Sequence, residues 1–319
     1  MSERAARGLP ETCGASRRAV PGEGHLKRER AHFGWLDVVV LLAIAAAGAW
    51  VFWRVRTGVD YDWDWPAIGD YFFRYDRDKE RWVPNLLVEG FLATIRLSIW
   101  AVAVASVIGV VIGLFRTSGG LFLRMTGRAY VECIRNLPPL VLVFIGYFFV
   151  SDQILPVIGV DDFVRSLSPA VQDTLAIFLA PPSRFSAFIA AVFTLALYEA
   201  AYIAEIVRGG IASIERGQWE AGHALGLTWW QQMRYVIGPQ AIQRMVPPLA
   251  SQFISTIKDS AIVSVISIQE LTFQGMQLMA ATYLTFEVWI TIAAMYLVLT
   301  LSCSMAARKL EAWMSRGHH

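Results

Sequence analysis

Long apolar segments alternate with short polar ones along most of the chain. Six of the apolar segments come close to the roughly 20 residues that an α-helix needs to cross about 30 Å of hydrocarbon. They cover residues 35–53, 91–114, 129–150, 185–207, 245–268 and 283–307. Because a helix satisfies its own backbone hydrogen bonds inside lipid, this pattern predicts six membrane-spanning helices.

The composition supports the same fold class. Hydrophobic residues make up 55% of the chain, charged residues make up 17%, and the mean hydropathy is +0.46. A chain of this composition is too apolar and too lightly charged to be an ordinary soluble domain of 319 residues. The sequence therefore predicts an all-α, polytopic membrane protein.

Basic residues in the short loops predict the orientation in the membrane. The leading tail and the loop after the second helix are rich in arginine, and the C-terminus carries Arg308, Lys309 and Arg316. In residues 54–85, by contrast, acidic residues outnumber basic ones. Since cytoplasmic loops of membrane proteins carry an excess of Lys and Arg, both termini are predicted to be cytoplasmic.

The segments at the two ends of the chain differ from the apolar core. Residues 1–34 are charged and poor in large apolar side chains, which predicts a disordered cytoplasmic tail, and residues 311–319 form a short C-terminal tail. The apolar run 35–53 is too long for a signal peptide, so we expect it to remain as an N-terminal transmembrane helix. Residues 54–85 are predicted to be periplasmic, where their aromatic residues either anchor the segment at the headgroups or contact an arriving protein.

One polar stretch, residues 218–239, lies between the fourth and fifth apolar segments. Gly226 can take the left-handed conformation that ends a first short helix. Thr228 and Gln231, three residues apart, match a capping box that begins a second helix. We expect Pro239 to stop this second helix before the membrane helix resumes.

Large aromatic side chains also occur in this polar stretch. They are Trp219, Trp229, Trp230 and Tyr235. Such residues either lie at the headgroup level as part of an interfacial amphipathic loop or fill a groove on a partner protein.

The spacing of Glu220, Gly226 and Pro239 resembles the EAA loop of binding-protein-dependent ABC importer permeases. That loop reads E-A-A, three residues, Gly, nine residues and I-x-L-P, and this chain departs from it at Gly222 and Gly238. The flanking segments are similar to those of polar amino-acid permeases at residues 130–139, 199–211 and 247–260. The resemblance covers residues 86–310 and is an ordered set of motifs.

This resemblance implies a type I ABC importer transmembrane domain of five core helices, preceded by one extra N-terminal helix, in a bacterial inner membrane. It also implies partners: two copies of a cytoplasmic ABC ATPase that uses ATP, an external solute-binding protein and a second permease subunit in a homodimer or heterodimer. The substrate would be an amino acid, and the similarity to polar amino-acid permeases implies a polar one. The coupling loop, residues 209–244, would contact the ATPase through Glu220, Ala221, Gly222, Gly226 and Pro239.

Motifs of catalysis are missing from the sequence. None of its lysines follows a glycine, so it lacks a phosphate-binding P-loop, and it has no His-Glu-x-x-His zinc pair or Gly-x-Ser-x-Gly elbow. We therefore expect a transport subunit with no catalytic residue, metal or cofactor of its own, and with no nucleic-acid partner.

Three ionisable residues, Glu199, Lys258 and Asp259, fall within predicted membrane helices, where charge is costly unless it is paired or faces water. Two interpretations are open at this point. Glu199 pairs with Lys258 as a clamp between helices, or the charges line a polar path for a zwitterionic substrate. The residues of that path or gate would be Glu199, Ser255, Thr256, Lys258, Asp259 and Ser260.

Two further pairs of charges lie three residues apart, a spacing at which helical side chains meet. They are Glu132 with Arg135 and Glu205 with Arg208, and we expect both pairs to be structural. The second apolar segment also carries a stripe of small residues on one face, Ala101, Ala105, Gly109 and Gly113. The stripe allows close approach of another helix, either within this chain or from a second permease subunit.

Two other functions are compatible with an apolar chain of this kind. An ion-coupled secondary amino-acid transporter would use an intramembrane acid such as Glu199 as its proton or cation site. A membrane scaffold subunit would have no polar groups facing a cavity.

Overall fold

The computed structural model describes residues 34–58, 61–77 and 80–315. The predicted tail 1–34 lies outside these residues except for its last position, as do residues 316–319 of the C-terminal tail. The chain separates into two units, residues 1–62 and 63–319. In the first unit the described structure contains helix α1 (Trp35–Gly58), whose apolar stretch Trp35–Val51 is shorter than the spans of the second unit. Its crossing of the membrane stays a prediction.

The second unit is almost entirely helical. Its helices are α2 (Trp65–Gly69), α3 (Leu86–Thr117), α4 (Leu121–Asn136), α5 (Pro139–Phe149), α6 (Leu155–Ile158), α7 (Val160–Ser166), α8 (Pro169–Phe178), α9 (Phe185–Ala212), α10 (Arg216–Ala224), α11 (Trp229–Gln232), α12 (Gly238–Asp259), α13 (Leu271–Thr282) and α14 (Thr285–Ser315). Two π-helical turns, Val150–Ile154 and Met233–Ile237, and two 3₁₀ turns, Pro182–Arg184 and Ser260–Ile266, connect some of them. Strands β1 (Phe73–Asp76) and β2 (Arg81–Pro84) form an antiparallel hairpin in which Arg74 pairs with Val83.

Five helical segments of this unit are long and apolar enough to cross a membrane. They are Leu86–Thr117, Pro139–Ile158, Pro182–Ala212, Trp229–Ile266 and Thr285–Ala312. The all-α, polytopic class is therefore confirmed, and these segments correspond to the five predicted core helices.

The predicted span 129–150 is wrong in its boundaries. The chain leaves the helical conformation at Leu137, between α4 and α5, because Pro138 and Pro139 follow. Proline lacks a backbone N–H and disfavours the helical conformation of the residue before it, so one helix cannot run through this point. α4 is instead a separate amphipathic helix of 16 residues, and the span begins at Pro139.

Helix α9 forms the centre of the second unit and packs along α3. The small residues of α3 make this contact close, since a Cβ placed on Gly109 would come within 2.6 Å of Ile203 Cγ2, and one on Gly113 within 2.6 Å of Val207 Cβ. Ala101 and Ala105 of the same stripe are fully buried. The stripe therefore packs against α9 of the same chain. This decides between the two partners that the sequence left open, a helix of this chain and a second permease subunit.

A buried carboxylate ties three helices together at the start of α13. Glu270 is the N-cap of this helix and accepts hydrogen bonds from the backbone N–H groups of Thr272 at 2.9 Å and Phe273 at 2.8 Å. It also accepts from the Tyr296 hydroxyl of α14 at 2.8 Å and from Thr94 Oγ1 of α3 at 3.4 Å. Because a buried charge is tolerated only when it is hydrogen-bonded, this network fixes α13 against α3 and α14.

Candidate coupling segment and transmembrane polar site

The polar stretch predicted between the fourth and fifth spans folds into α10 and α11. α10 ends in a pair of backbone hydrogen bonds, from Gly226 N to His223 O at 2.9 Å and from Leu227 N to Gly222 O at 3.1 Å. This is the Schellman pattern, which requires a left-handed residue at Gly226. Its φ is +71°, so the conformation predicted for this glycine is confirmed.

The start of α11 also follows the sequence. Thr228 is the N-cap, its side chain accepts from the backbone of Gln231 at 3.4 Å, and Gln231 Oε1 accepts from Thr228 N at 2.8 Å. The predicted capping box is therefore confirmed. It satisfies backbone donors that the first turn of a helix otherwise leaves unpaired.

Pro239 does not stop the second short helix, contrary to the prediction. α11 continues through the π-helical turn Met233–Ile237 directly into α12, with Pro239 in the first turn of α12. The chain enters α12 already helical, so Pro239 lies where the hydrogen-bond pattern changes from π to α and not at a free helix start. The wide π turn brings Met233 O within 2.2 Å of where a Cβ on Gly238 would lie, which accounts for glycine at the position where the loop pattern has leucine.

The other departure from the pattern, Gly222, lies in the contact between α10 and α11. A Cβ on Gly222 would come within 2.9 Å of Gln232 Cγ, and Gln232 is fully buried. The small residue therefore lets the two short helices meet around the Gln232 side chain.

The coupling segment, residues 216–237, exposes both charged and large apolar side chains. Glu220 and Ala221 are exposed, and Leu225 and Trp230 are 78% and 72% exposed. Tyr235 is exposed as well, whereas Trp229 stacks edge-on against Trp230 with ring centroids 4.8 Å apart. Exposed apolar groups in such a concentration are typical of a surface that contacts a protein or a membrane.

The coupling segment is attached firmly to the membrane helices. Gln240 of α12 donates to Gln218 of α10 at 3.2 Å, and Arg244 donates to the backbone oxygen of Ser213 at the end of α9. Ile214 and Ile237 are buried in the cluster that joins α9 to α12. A displacement of α10 and α11 would therefore move both spans, as a mechanical coupling requires.

Glu199 lies near the middle of α9 and is fully buried. Its Oε2 accepts a hydrogen bond from Gln252 Nε2 of α12 at 2.6 Å, while its Oε1 has no hydrogen-bond partner among the described residues. Thr256 and Asp259 of α12 lie beside the same carboxyl group. The site therefore brings together three of the predicted path residues and adds Gln252.

The predicted pair between Glu199 and Lys258 is wrong. Lys258 is exposed, and the ion pairs found among the described residues do not include it. Adjacent residues of a helix point about 100° apart, so Asp259 turns toward α9 while Lys258 turns away. Ser260 is buried and donates to Ile257 O at 2.8 Å, and Ser255 is half-buried, so neither is shown to join the carboxyl group.

Of the two predicted structural pairs, one is confirmed and one is wrong. Glu205 pairs with Arg208 on α9 and also with Arg116 of α3. Glu132 pairs with Arg128, four residues before it, at 2.6 Å. Arg135, its expected partner, instead lies over the Tyr202 ring, 5.3 Å from the ring centroid.

Gln252 and Arg96 are polar residues of the spans that the sequence interpretation missed. Gln252, Thr256 and Asp259 recur at four and three residues along α12, so the helical period alone indicates a polar face. Arg96 is a single basic residue inside the apolar run of α3, and such a residue is by itself a sign of function.

Residues 86–316 match the family described as "Binding-protein-dependent transport system inner membrane component". The chain is 36% identical over 258 residues to the glutamine transport system permease protein GlnP of Escherichia coli, which covers 80% of this chain and 99% of that protein. It is 33% identical to the probable glutamine ABC transporter permease protein GlnM of Bacillus subtilis, over 73% of this chain and 95% of that one.

Solved structures with a similar fold include an amino acid ABC transporter crystallised with histidines. Its chain is 32% identical, with a TM-score of 0.59, over 79% of this chain and 99% of that one. The MetNI methionine ABC transporter in an inward-facing conformation is 21% identical, with a TM-score of 0.54, and supports the fold alone.

Proposed function

Because the chain belongs to the family of binding-protein-dependent transport system inner membrane components, we propose that it carries polar amino acids across the membrane as the permease subunit of an ABC importer. Membership of this family means in general that an ATPase and a solute-binding protein are partners. The amino-acid substrate is supported by the printed names of its relatives, among them the glutamine permease of Escherichia coli.

The finer arrangement is also part of this proposal. Two ATPase copies hold and hydrolyse ATP in the cytoplasm, and a second permease subunit, identical or related, completes the pathway. The coupling segment and both termini lie on the cytoplasmic side of the bacterial inner membrane, as the positive charges of the short loops indicate.

The observation that carries the proposal is the coupling segment. Two short helices held by a Schellman motif and a capping box expose Glu220, Leu225 and Trp230, which together we call the coupling face. The same segment is continuous with α12 and bonded to the end of α9. A partner that binds this face in two different positions can therefore bias two states of the spans, because a conformational equilibrium shifts by the difference in binding free energy.

The substrate path is proposed to pass the Glu199 carboxyl group, with Thr256 and Asp259 beside it. An acceptor oxygen at full burial, with no hydrogen-bond partner in the described part of the chain, is costly unless a ligand or water donates to it. The ammonium group of an amino acid is a suitable donor, with Gln252 holding the other oxygen.

Transport by reconstituted vesicles tests this function. The chain, its ATPase and its binding protein would be assembled in proteoliposomes, and uptake of radiolabelled L-glutamine would be measured with ATP and with a non-hydrolysable analogue. We expect uptake with ATP and none with the non-hydrolysable analogue. We also expect the ATP-driven uptake to continue when a protonophore is added. Uptake that needs no ATPase and collapses with the protonophore would establish an ion-coupled secondary transporter instead.

A pair of variants directs the same test to the coupling segment. Trp230→Ser removes an exposed aromatic group from the coupling face and should abolish ATP-driven uptake while leaving membrane insertion intact. Phe163→Ser removes a comparably exposed aromatic group from α7 and should leave uptake in place.

A further inference from the structure

A cavity of about 280 Å³ lies at the end of the helix bundle opposite the coupling segment. Its walls come from the first turns of α3 and α9 and from the chain that follows α12, and they include Glu89, Arg96, Arg184, Gln269 and Gln274. α9 starts beside this cavity and ends next to α10, and its 28 residues span about 40 Å. The cavity is therefore separated from the coupling segment by the full length of a span.

Arg96 brings a positive charge into this cavity. Among the described residues, no carboxylate forms an ion pair with it. Its Nη1 donates to Ala176 O at 2.7 Å, and its Nε donates to Leu92 O at 3.3 Å. Glu89, two turns earlier on the same face of α3, acts on it electrostatically without forming an ion pair. The carbonyl oxygens that it contacts carry only partial negative charge, so this half-buried guanidinium keeps a positive charge that water or an anion can approach from the cavity.

The segment that follows helix α8 forms a further wall of the cavity, and two side chains of α3 hold the end of α8 in place. Arg96 and Trp100, one turn apart, donate to backbone oxygens at the C-terminal end of α8, the latter to Phe178 O at 2.9 Å. This attachment holds Leu179, Ala180 and Pro181 at the mouth of the cavity. Since the end of a helix carries partial negative charge, the contact favours a cation at Arg96 and keeps its guanidinium in place.

Gln274 of α13 adds a buried acceptor oxygen to the lining of the cavity. The side chain is 1% exposed, and within residues 34–58, 61–77 and 80–315 its Oε1 has no hydrogen-bond partner. Nearly all buried polar atoms of native proteins are hydrogen-bonded, so this oxygen indicates a donor supplied by a ligand or a water. Glu89 and Arg184, both exposed, add one charge of each sign at the same cavity.

We propose that this cavity is an entry site that binds a zwitterionic amino acid before it reaches Glu199. The α-carboxylate would lie at Arg96 and Arg184, where a guanidinium donates two parallel hydrogen bonds. The α-ammonium would donate to Gln274 Oε1 and lie near Glu89. This site deepens the proposed function and rests on it, because it takes the same class of substrate.

The test is a binding measurement on the permease and ATPase complex in lipid nanodiscs, without binding protein or nucleotide. The probe is radiolabelled L-glutamine, followed by two analogues that each lack one charge: glutaramic acid has no ammonium group, and 4-aminobutanamide has no carboxylate. We expect saturable binding of L-glutamine, and binding about tenfold or more weaker for each analogue, as charged hydrogen bonds require.

Variants at exposed positions keep this test independent of folding. Glu89→Gln and Arg184→Gln should each weaken L-glutamine binding by about tenfold, since each removes one charge from the cavity. Arg165→Gln, which changes an exposed arginine of α7 outside the cavity, should leave binding unchanged. Arg96→Gln should also weaken binding, although this variant releases α8 as well.

Uptake by the complete transporter separates the two proposals. If proteoliposomes import L-glutamine but the complex shows no saturable binding, or Glu89→Gln and Arg184→Gln bind it like the unaltered chain, the entry site is refuted and the proposed function stands. If the proteoliposomes import none of the common amino acids with ATP, the proposed function fails and the entry site fails with it. If they import another amino acid, that one replaces L-glutamine as the probe.

Discussion

Gln252 Nε2 of α12 donates a hydrogen bond to Oε2 of Glu199 on α9, at 2.6 Å, where the predicted partner was Lys258. The two spans are therefore joined at this depth by a neutral amide rather than by an ammonium group. One oxygen of Glu199 accepts from Gln252, and the other has no hydrogen-bond partner in the part of the chain that the structure describes, although Thr256 and Asp259 lie beside the carboxyl group.

Gln252→Leu should lower the free energy of unfolding by about 1–3 kcal/mol, because it leaves a second oxygen of a buried carboxyl group unsatisfied. The double variant Glu199→Leu with Gln252→Leu should recover part of this loss, since the unsatisfied oxygens of Glu199 are then absent. The measurement is the thermal unfolding midpoint of the purified permease in detergent.

Lys258→Met is the matched control, and it should change stability by no more than about 0.5 kcal/mol because the side chain is exposed. A loss from Lys258→Met as large as that from Gln252→Leu would show that Lys258 does support Glu199.

Gly226→Val should disrupt the coupling segment without preventing membrane insertion. A β-branched residue at φ +71° is strained by about 1–3 kcal/mol, and the Schellman motif that ends α10 would open. ATP-driven uptake and co-purification with the ATPase should both be lost. Gly217→Val adds the same side chain to open space within helix α10 and should retain insertion and the fold of the segment. Normal uptake by Gly226→Val would contradict the two-helix coupling segment.

Gly222→Ala restores the residue of the loop pattern but should weaken this transporter. The added methyl group would lie within 2.9 Å of Gln232 Cγ, and overpacking of this kind costs about 1–3 kcal/mol. Adding Gln232→Ala should rescue both stability and uptake, because it empties the space that the methyl group needs. An additive effect of the two substitutions, with no rescue, would show that they are not in contact.

Glu220→Cys, in a chain whose native cysteines are replaced by serine, should crosslink to the ATPase. The side chain at this position is exposed on the coupling face, next to Ala221. A membrane-impermeant thiol reagent should label it in inverted vesicles and not in intact cells. Labelling from outside intact cells would reverse the proposed orientation of the chain.

Local turn chemistry is the part of the coupling segment that could be predicted from the sequence. The left-handed Gly226 and the capping box of Thr228 with Gln231 depend on residues within a few positions of each other, so no tertiary contact is needed to infer them. The break before Pro139 was equally local, but the apolar run across it concealed the end of α4.

The sequence by itself determined that the chain is apolar enough for several membrane spans, and it determined the all-α class, the end of α10, the start of α11 and the resemblance to importer permeases. Composition, hydropathy and short-range spacing decide these features, whereas the end of α11 and the boundary at Pro139 differed from the prediction. The tertiary structure alone decided that the stripe of Gly109 and Gly113 packs on α9, that Glu199 meets Gln252, and that Glu270 joins three helices. The physical reason is that these contacts join residues far apart in the chain. The helical period shows which face a side chain occupies, and only the packing of the helices shows which residue it meets.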